Sequence, residues 1–147
     1  MIANIEKEYD QDFYAWITHN VKLLREGKLS EIDAEHIAEE IESMGKSEKR
    51  ELINRLAVLI AHLLKWQHQP IRRSQSWSLT IKEQRIQLIS LLEDSPSLRN
   101  EIEKKLEDAY EQAVLIAERE TALEEKTFSK SCVFSLDEIL NKTYFPE

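Results

Sequence analysis

Cross-linking and turn-forming residues are scarce in this chain, which has one cysteine, two glycines and three prolines in 147 residues. The lone Cys132 cannot close an internal disulfide. No segment couples a basic start to an apolar run long enough for export or membrane insertion, so a cytoplasmic protein without membrane contact is expected. Basic residues are outnumbered 20 to 28, and the net charge of −8 argues against general affinity for nucleic acid or anionic membrane. What the chain has in quantity is Glu, Lys, Leu and Ile, within a charged fraction of 33%. Helix formers therefore fill the surface positions while turn residues are few, and the fold class is all-α. A chain of this length buries roughly two-thirds of its unfolded surface, so one domain, 1–147, is expected to fold without staples.

The charge is unevenly spread. Residues 62–92 hold Lys65, Arg72, Arg73, Lys82 and Arg85 against the single acid Glu83, which gives +4 and leaves −12 for the rest.

Hydrophobic periodicity organises the chain around residues 30–67. On a helical wheel Ala34, Ile37, Ile41 and Met44 share a sector with Leu52, Leu59, Leu63 and Trp66, and the phase survives Gly45. One long helix is the preferred reading; two helices, the second capped by Ser47, is the alternative. Leu29, Ser30 and Asp33 are read as its staple, cap and capping-box acid. Beyond Leu52 the apolar arc widens, so this half needs cover on several sides. Residues 1–9 lack a sustained period and read as a frayed start. A first helix capped by Asp10 or Asp12 turns Phe13, Trp16, Ile17, Val21 and Leu24 inward, and Gly27 ends it.

Pro70 ends the long helix, and a third helix spans about 77–93 on Trp77, Ile81, Leu88 and Leu92. Ser95 and Pro96 open a fourth, with a stripe of Leu98, Ile102, Leu106, Ala109, Ala113 and Ile116. Residues 126–134 read as an irregular strap laid down by Phe128, Val133 and Phe134. Ser135 and Glu138 form a capping box for a short final helix. The sum is an up-down antiparallel bundle of four to five helices built around one long helix.

The runs DFYAW (12–16), AEEIESMG (38–45), HLLKW (62–66) with Gln69 and Pro70, Arg72 with Arg73, Ser76 with Trp77, and LDEIL (136–140) resemble domain-of-unknown-function family twenty-nine. This is a family of small bacterial proteins abundant in cyanobacteria. The resemblance spans nearly the whole chain and implies an all-helical domain with no assigned activity. Val133 stands where the family often carries a proline, which bears on the shape of the strap.

Two constellations have chemical interest. Asp33, His36 and Glu40 neighbour one another along a helix, as metal-binding groups in bundles do. A metal centre would need ligands from facing helices, and the isolated His19, His62 and His68 supply no second motif. A solvated face is the simpler reading, with neither metal nor cofactor expected. The second is His62, Lys65, Trp66, Arg72, Arg73, Ser76 and Trp77, where guanidinium forks and a helix start could cradle a phosphate or carboxylate. Its structural counterpart has the arginines paired with Glu39, Glu40 or Glu42 and the indoles plugging the bundle end. No catalytic nucleophile is apparent, since Cys132 has no base near it in sequence. The expected role is a protein-protein interaction or adaptor module, binding a protein partner or a second copy. The alternative is a module for an anionic ligand or nucleic acid, and an enzyme ranks below both.

Overall fold

The computed structural model describes residues 2–147, with side chains from Ile5 onward. Among the described residues it holds six α-helices and no strand. These are α1 (Ile2–Gln11), α2 (Phe13–Arg25), α3 (Ala34–His68), α4 (Gln75–Asp94), α5 (Leu98–Thr121) and α6 (Leu136–Leu140). Single 3-10 turns occupy Pro70–Arg72 and Glu125–Thr127. No described helix is long and apolar enough to cross a membrane. The residues gather into two compact units, one running up to Ser47 and one from Glu48 onward.

In the first unit, α1 covers residues read from sequence as a frayed start, of which Met1 lies outside the described residues. The helix escapes a periodicity reading because Ile5 is its one buried side chain among those described. Its packing on α2 is aromatic, with the Tyr9 ring edge-on to Phe13 at 5.7 Å and to Trp16 at 5.0 Å. Asp12 caps α2 by accepting from the Ala15 amide, and Gly27 follows its end at φ +73°. Only Trp16 of the expected inward stripe is buried; Phe13, Ile17, Val21 and Leu24 remain 38 to 44% exposed. The buried edge of α2 lies beside that stripe, along Trp16 and Asn20.

The cap of α3 differs from expectation in a related way. Ser30 and Leu29 lie in an exposed turn, and Asp33 is the residue before the helix, accepting from the His36 amide at 3.4 Å. Tertiary bonds decide this, because the Asp33 amide donates to Asn20 Oδ1 at 2.9 Å and its carboxylate accepts from the Trp16 indole. The helix then runs unbroken through Gly45, in line with the preferred reading of one long helix and without a second start at Ser47. Its first-half stripe is not a buried one, since Ile41 and Met44 are exposed.

In the second unit, the later part of α3 brings Leu52, Leu56, Leu59, Ile60, Leu63 and Leu64 into a core with Ile81 and Leu88 of α4. From α5, Ile102 and the ridge Ala109, Ala113, Ala117 complete it. Alanines at four-residue spacing give α5 a flat inner face, so neighbouring side chains come close to its backbone. Each fully buried Leu or Ile here contributes on the order of 1.5–3 kcal/mol. Phe128 and Phe134 are buried from the strap, whereas Val133 is exposed. Ser135 and Glu138 make the expected capping box for α6. Ser95 ends α4 instead of opening α5, which starts two residues after Pro96.

The two glycines should respond oppositely to alanine. A Cβ on Gly45 meets nothing within 4 Å, while Gly27 sits at a φ that L side chains rarely adopt. Gly45→Ala should stabilise by about 0.5–1 kcal/mol and Gly27→Ala should destabilise by about 1 kcal/mol, both measured as urea midpoint shifts at constant slope.

Candidate functional site

The basic turn after α3 is built around a missing amide. In an α-helix the carbonyl of Trp66 would accept from the N–H four residues on, and that residue is Pro70. Arg73 supplies the donor, its Nε reaching the Trp66 carbonyl at 2.7 Å while its guanidinium lies 5.0 Å from the Trp66 ring centre. Nη2 of the same side chain donates to the Pro146 carbonyl at 3.4 Å. Trp66 is 4.9 Å from Phe145, so the arginine and the indole together hold the C-terminal segment against the turn.

Lys65 is buried, donates to Glu120 at 3.4 Å and stands 4.7 Å over the Trp77 ring. His62 bonds the Val58 carbonyl through Nδ1 at 2.9 Å. Burial pushes its pKa down, with the Lys65 charge adding to the effect and the carbonyl opposing it, so the ring is neutral at pH 7. Arg72 and Ser76 are exposed and join none of these bonds. The cap of α4 is Ser74, which accepts from the Trp77 amide at 3.1 Å. Backbone carbonyls thus occupy Arg73 where acids of the long helix were the expected partners; Glu40 accepts from Tyr9 and Glu42 pairs with Lys46.

Arg85, not among the residues singled out from sequence, is the most unusual member of this region. It is 0% exposed, donates from Nε to the Ile139 carbonyl at 2.8 Å and from Nη2 to the Glu138 carbonyl at 3.2 Å, and has Nη1 without a partner. Its charge lies 5.6 Å from the Phe145 ring centre. Two carbonyls at the C-terminal end of α6 are where a cation is favoured by the helix dipole. The sequence did hold a signal, because Arg85 falls four residues after Ile81 and three before Leu88, squarely within the buried stripe of α4.

The second constellation is in the first unit. Asp33 is buried, and its Oδ2 accepts from the Trp16 indole at 2.9 Å and from His36 Nδ1 at 2.6 Å. Burial by itself would raise the carboxyl pKa, but the bonds from Trp16 and His36 outweigh it and hold Asp33 below the usual carboxylate range. The Asp33 bond in turn raises His36. Tyr9 stacks on the His36 ring at 3.9 Å and donates to Glu40 at 2.6 Å, a bond that pushes its phenol up to about 12. The trio is therefore tied into an aromatic cluster and is not a solvated face. Among the described residues no three His, Cys, Asp or Glu side chains are grouped to hold a metal. Trp16 was expected inward and is buried, but its bond to Asp33 and the parts played by Tyr9 and Asn20 escaped the sequence reading, because they depend on α1 and α2 meeting the start of α3.

The family model described as Domain of unknown function DUF29 matches residues 8–145. The chain belongs to the DUF29 family. No curated protein and no solved structure matches it. The DUF29 match runs from Glu8 to Phe145, so it takes in the aromatic cluster around Asp33 and the Arg85 contacts at Glu138 and Ile139, and stops one residue short of the Pro146 carbonyl that Arg73 binds.

Two outcomes follow from these geometries. Arg73→Ala orphans the Trp66 carbonyl and should cost about 1–3 kcal/mol in urea unfolding, with earlier proteolysis of the C-terminal segment than in the parent. For the cluster, His36 is raised above its ordinary 6.5, so its contribution is complete below that pH and is lost as pH climbs through the folded value. Asp33 is lowered from 3.8, so its contribution is complete above that pH and is lost on acidification. The stability gap between the parent and His36→Gln should be widest between the ordinary values of 3.8 and 6.5 and should narrow on the alkaline side, as read from urea melts across pH.

Proposed function

We propose that this DUF29 chain is a protein-protein interaction module rather than an enzyme. The observation that carries the reading is the outer stripe of α2. Phe13, Ile17, Val21 and Leu24 recur at helical spacing and are 38 to 44% exposed. Single exposed apolar residues are ordinary, but a contiguous stripe on a helix marks a surface that gains by being covered. Ile41 and Met44, exposed at four- and seven-residue offsets from Ile37, add a second stripe on the first half of α3. The chemistry points away from catalysis. Burial pushes the Cys132 thiol up, and it donates to the Phe134 carbonyl, so the group is not poised as a nucleophile.

The alternative reading, an anionic ligand or nucleic acid at the basic turn, draws on exposed Arg72 and on the unpartnered Nη1 of Arg85. The donors of Arg73 and Lys65 are already engaged, which favours the interaction reading. Salt separates the two, because phosphate contacts release counterions and weaken steeply as salt is added.

A photocrosslinking residue placed at Ile17 in the native host should yield a discrete protein adduct, whether another protein or a second copy. The same residue at Lys22, on the opposite side of α2, should not. Ile17→Glu should abolish the interaction while changing stability by no more than about 0.5 kcal/mol. Absence of any adduct at Ile17 would sink the reading.

A further inference from the structure

A groove of about 660 Å³ runs between α5 and the strap, within the second unit. That is inside the roughly 300–1,000 Å³ range of formed ligand sites. Its floor is apolar, from Tyr110, Val114 and Phe128, all buried, and Leu115 stands exposed at its edge. The groove is held open by its own hydrogen bonds. Tyr110 donates to the Ser129 carbonyl at 2.7 Å, and the Cys132 amide donates to both Glu107 oxygens at 3.2 Å. A preformed cleft loses little conformational freedom when it is filled.

The charge on its walls selects the occupant. The lining holds four carboxylates, Glu107, Asp108, Glu111 and Glu125, against two lysines. One lysine, Lys126, already pairs with Glu124 at 3.0 Å. The charged side chains that α5 gives the groove are acids only; Asp108 pairs with Lys105 at 3.5 Å and Glu107 accepts from the Cys132 amide, while Glu111 makes no ion pair among the described residues. Along α5, Glu107 and Leu115 are two helical turns apart, about 12 Å at ~1.5 Å per residue. A partner must therefore present one or two apolar side chains to the floor and cations one turn apart to the acidic wall. An amphipathic helix rich in Lys or Arg does both, by the helix-in-groove mode.

We infer that the groove between α5 and the strap docks a cationic amphipathic helix of a partner protein. It uses residues distinct from the α2 stripe, so the Ile17 crosslink and the experiment below can fail independently.

The probe is a fluorescein-labelled, end-capped amphipathic helix of Leu and Lys, about fourteen residues long. It is compared with a scrambled peptide of equal charge and with a Leu/Glu counterpart. Fluorescence anisotropy should give saturable one-to-one binding of the amphipathic Lys peptide to the full chain. The double variant Glu111→Lys with Leu115→Lys should weaken it about tenfold or more, since both side chains face solvent and contribute at the contact. Glu42→Lys, a charge change elsewhere, should leave it unchanged. Amide NMR shifts on adding the peptide should centre on residues 107–115 and 125–130. Equal binding of the scrambled peptide, no effect of the double variant, no saturable binding, or shifts centred elsewhere would each overturn the proposal.

Discussion

One absent hydrogen shapes the larger unit. Because residue 70 is proline, the last turn of α3 leaves the Trp66 carbonyl without its helical donor, and a half-buried carbonyl without a donor is costly. Arg73 answers that need, and in doing so its planar fork is placed where the second arm can reach Pro146. Arg85 repeats the motif from inside α4, binding Ile139 and Glu138 by their carbonyls. The two arginines act on the backbone of the C-terminal segment, so its side chains do not have to carry acids to be held. Phe145 contributes instead as a surface for Trp66 and for the Arg85 charge.

The smaller unit is centred on a carboxylate. Asp33 is at once the cap of α3, the acceptor for Trp16 and the partner of His36, so one side chain joins the start of α3 to α2 and, through the Tyr9 stack, to α1. Such a buried charge persists because several donors converge on it. Little apolar area backs this arrangement, as the exposed side chains of α2 show. The first unit is thus stitched by polar and aromatic contacts, and the second is filled by aliphatic ones.

Legibility from sequence follows that same contrast. Where aliphatic burial dominates, period suffices: α4 and α5 lie on their expected stripes and the wide apolar arc of α3 beyond Leu52 is buried, while Ser135 and Glu138 announce α6 by their capping box and α3 passes Gly45 unbroken although its stripe there is exposed. Where long-range polar contacts dominate, spacing misleads. The α2 stripe looked inward but stands exposed, and Ser30 looked like a cap that Asp33 supplies. Among its described side chains α1 buries too few to carry a period. In the basic turn, Lys65 stands over Trp77 and Arg73 over Trp66, while His62 bonds the Val58 carbonyl of its own helix and Arg72 and Ser76 are exposed. Arg85 was hidden because a charged residue within an apolar stripe is discounted when hydrophobic positions are counted.

The Arg85 clasp sets an order of events during synthesis. Its carbonyl partner at Ile139 lies 54 residues further along the chain. At typical elongation speeds that separation amounts to roughly 3–10 s in which α4 exists without it. Throughout that interval a guanidinium occupies the core-facing side of α4 with no acceptor, which opposes burial of the helix. Full burial of α4 is therefore coupled to the docking of residues 138 and 139, whose carbonyls receive the charge.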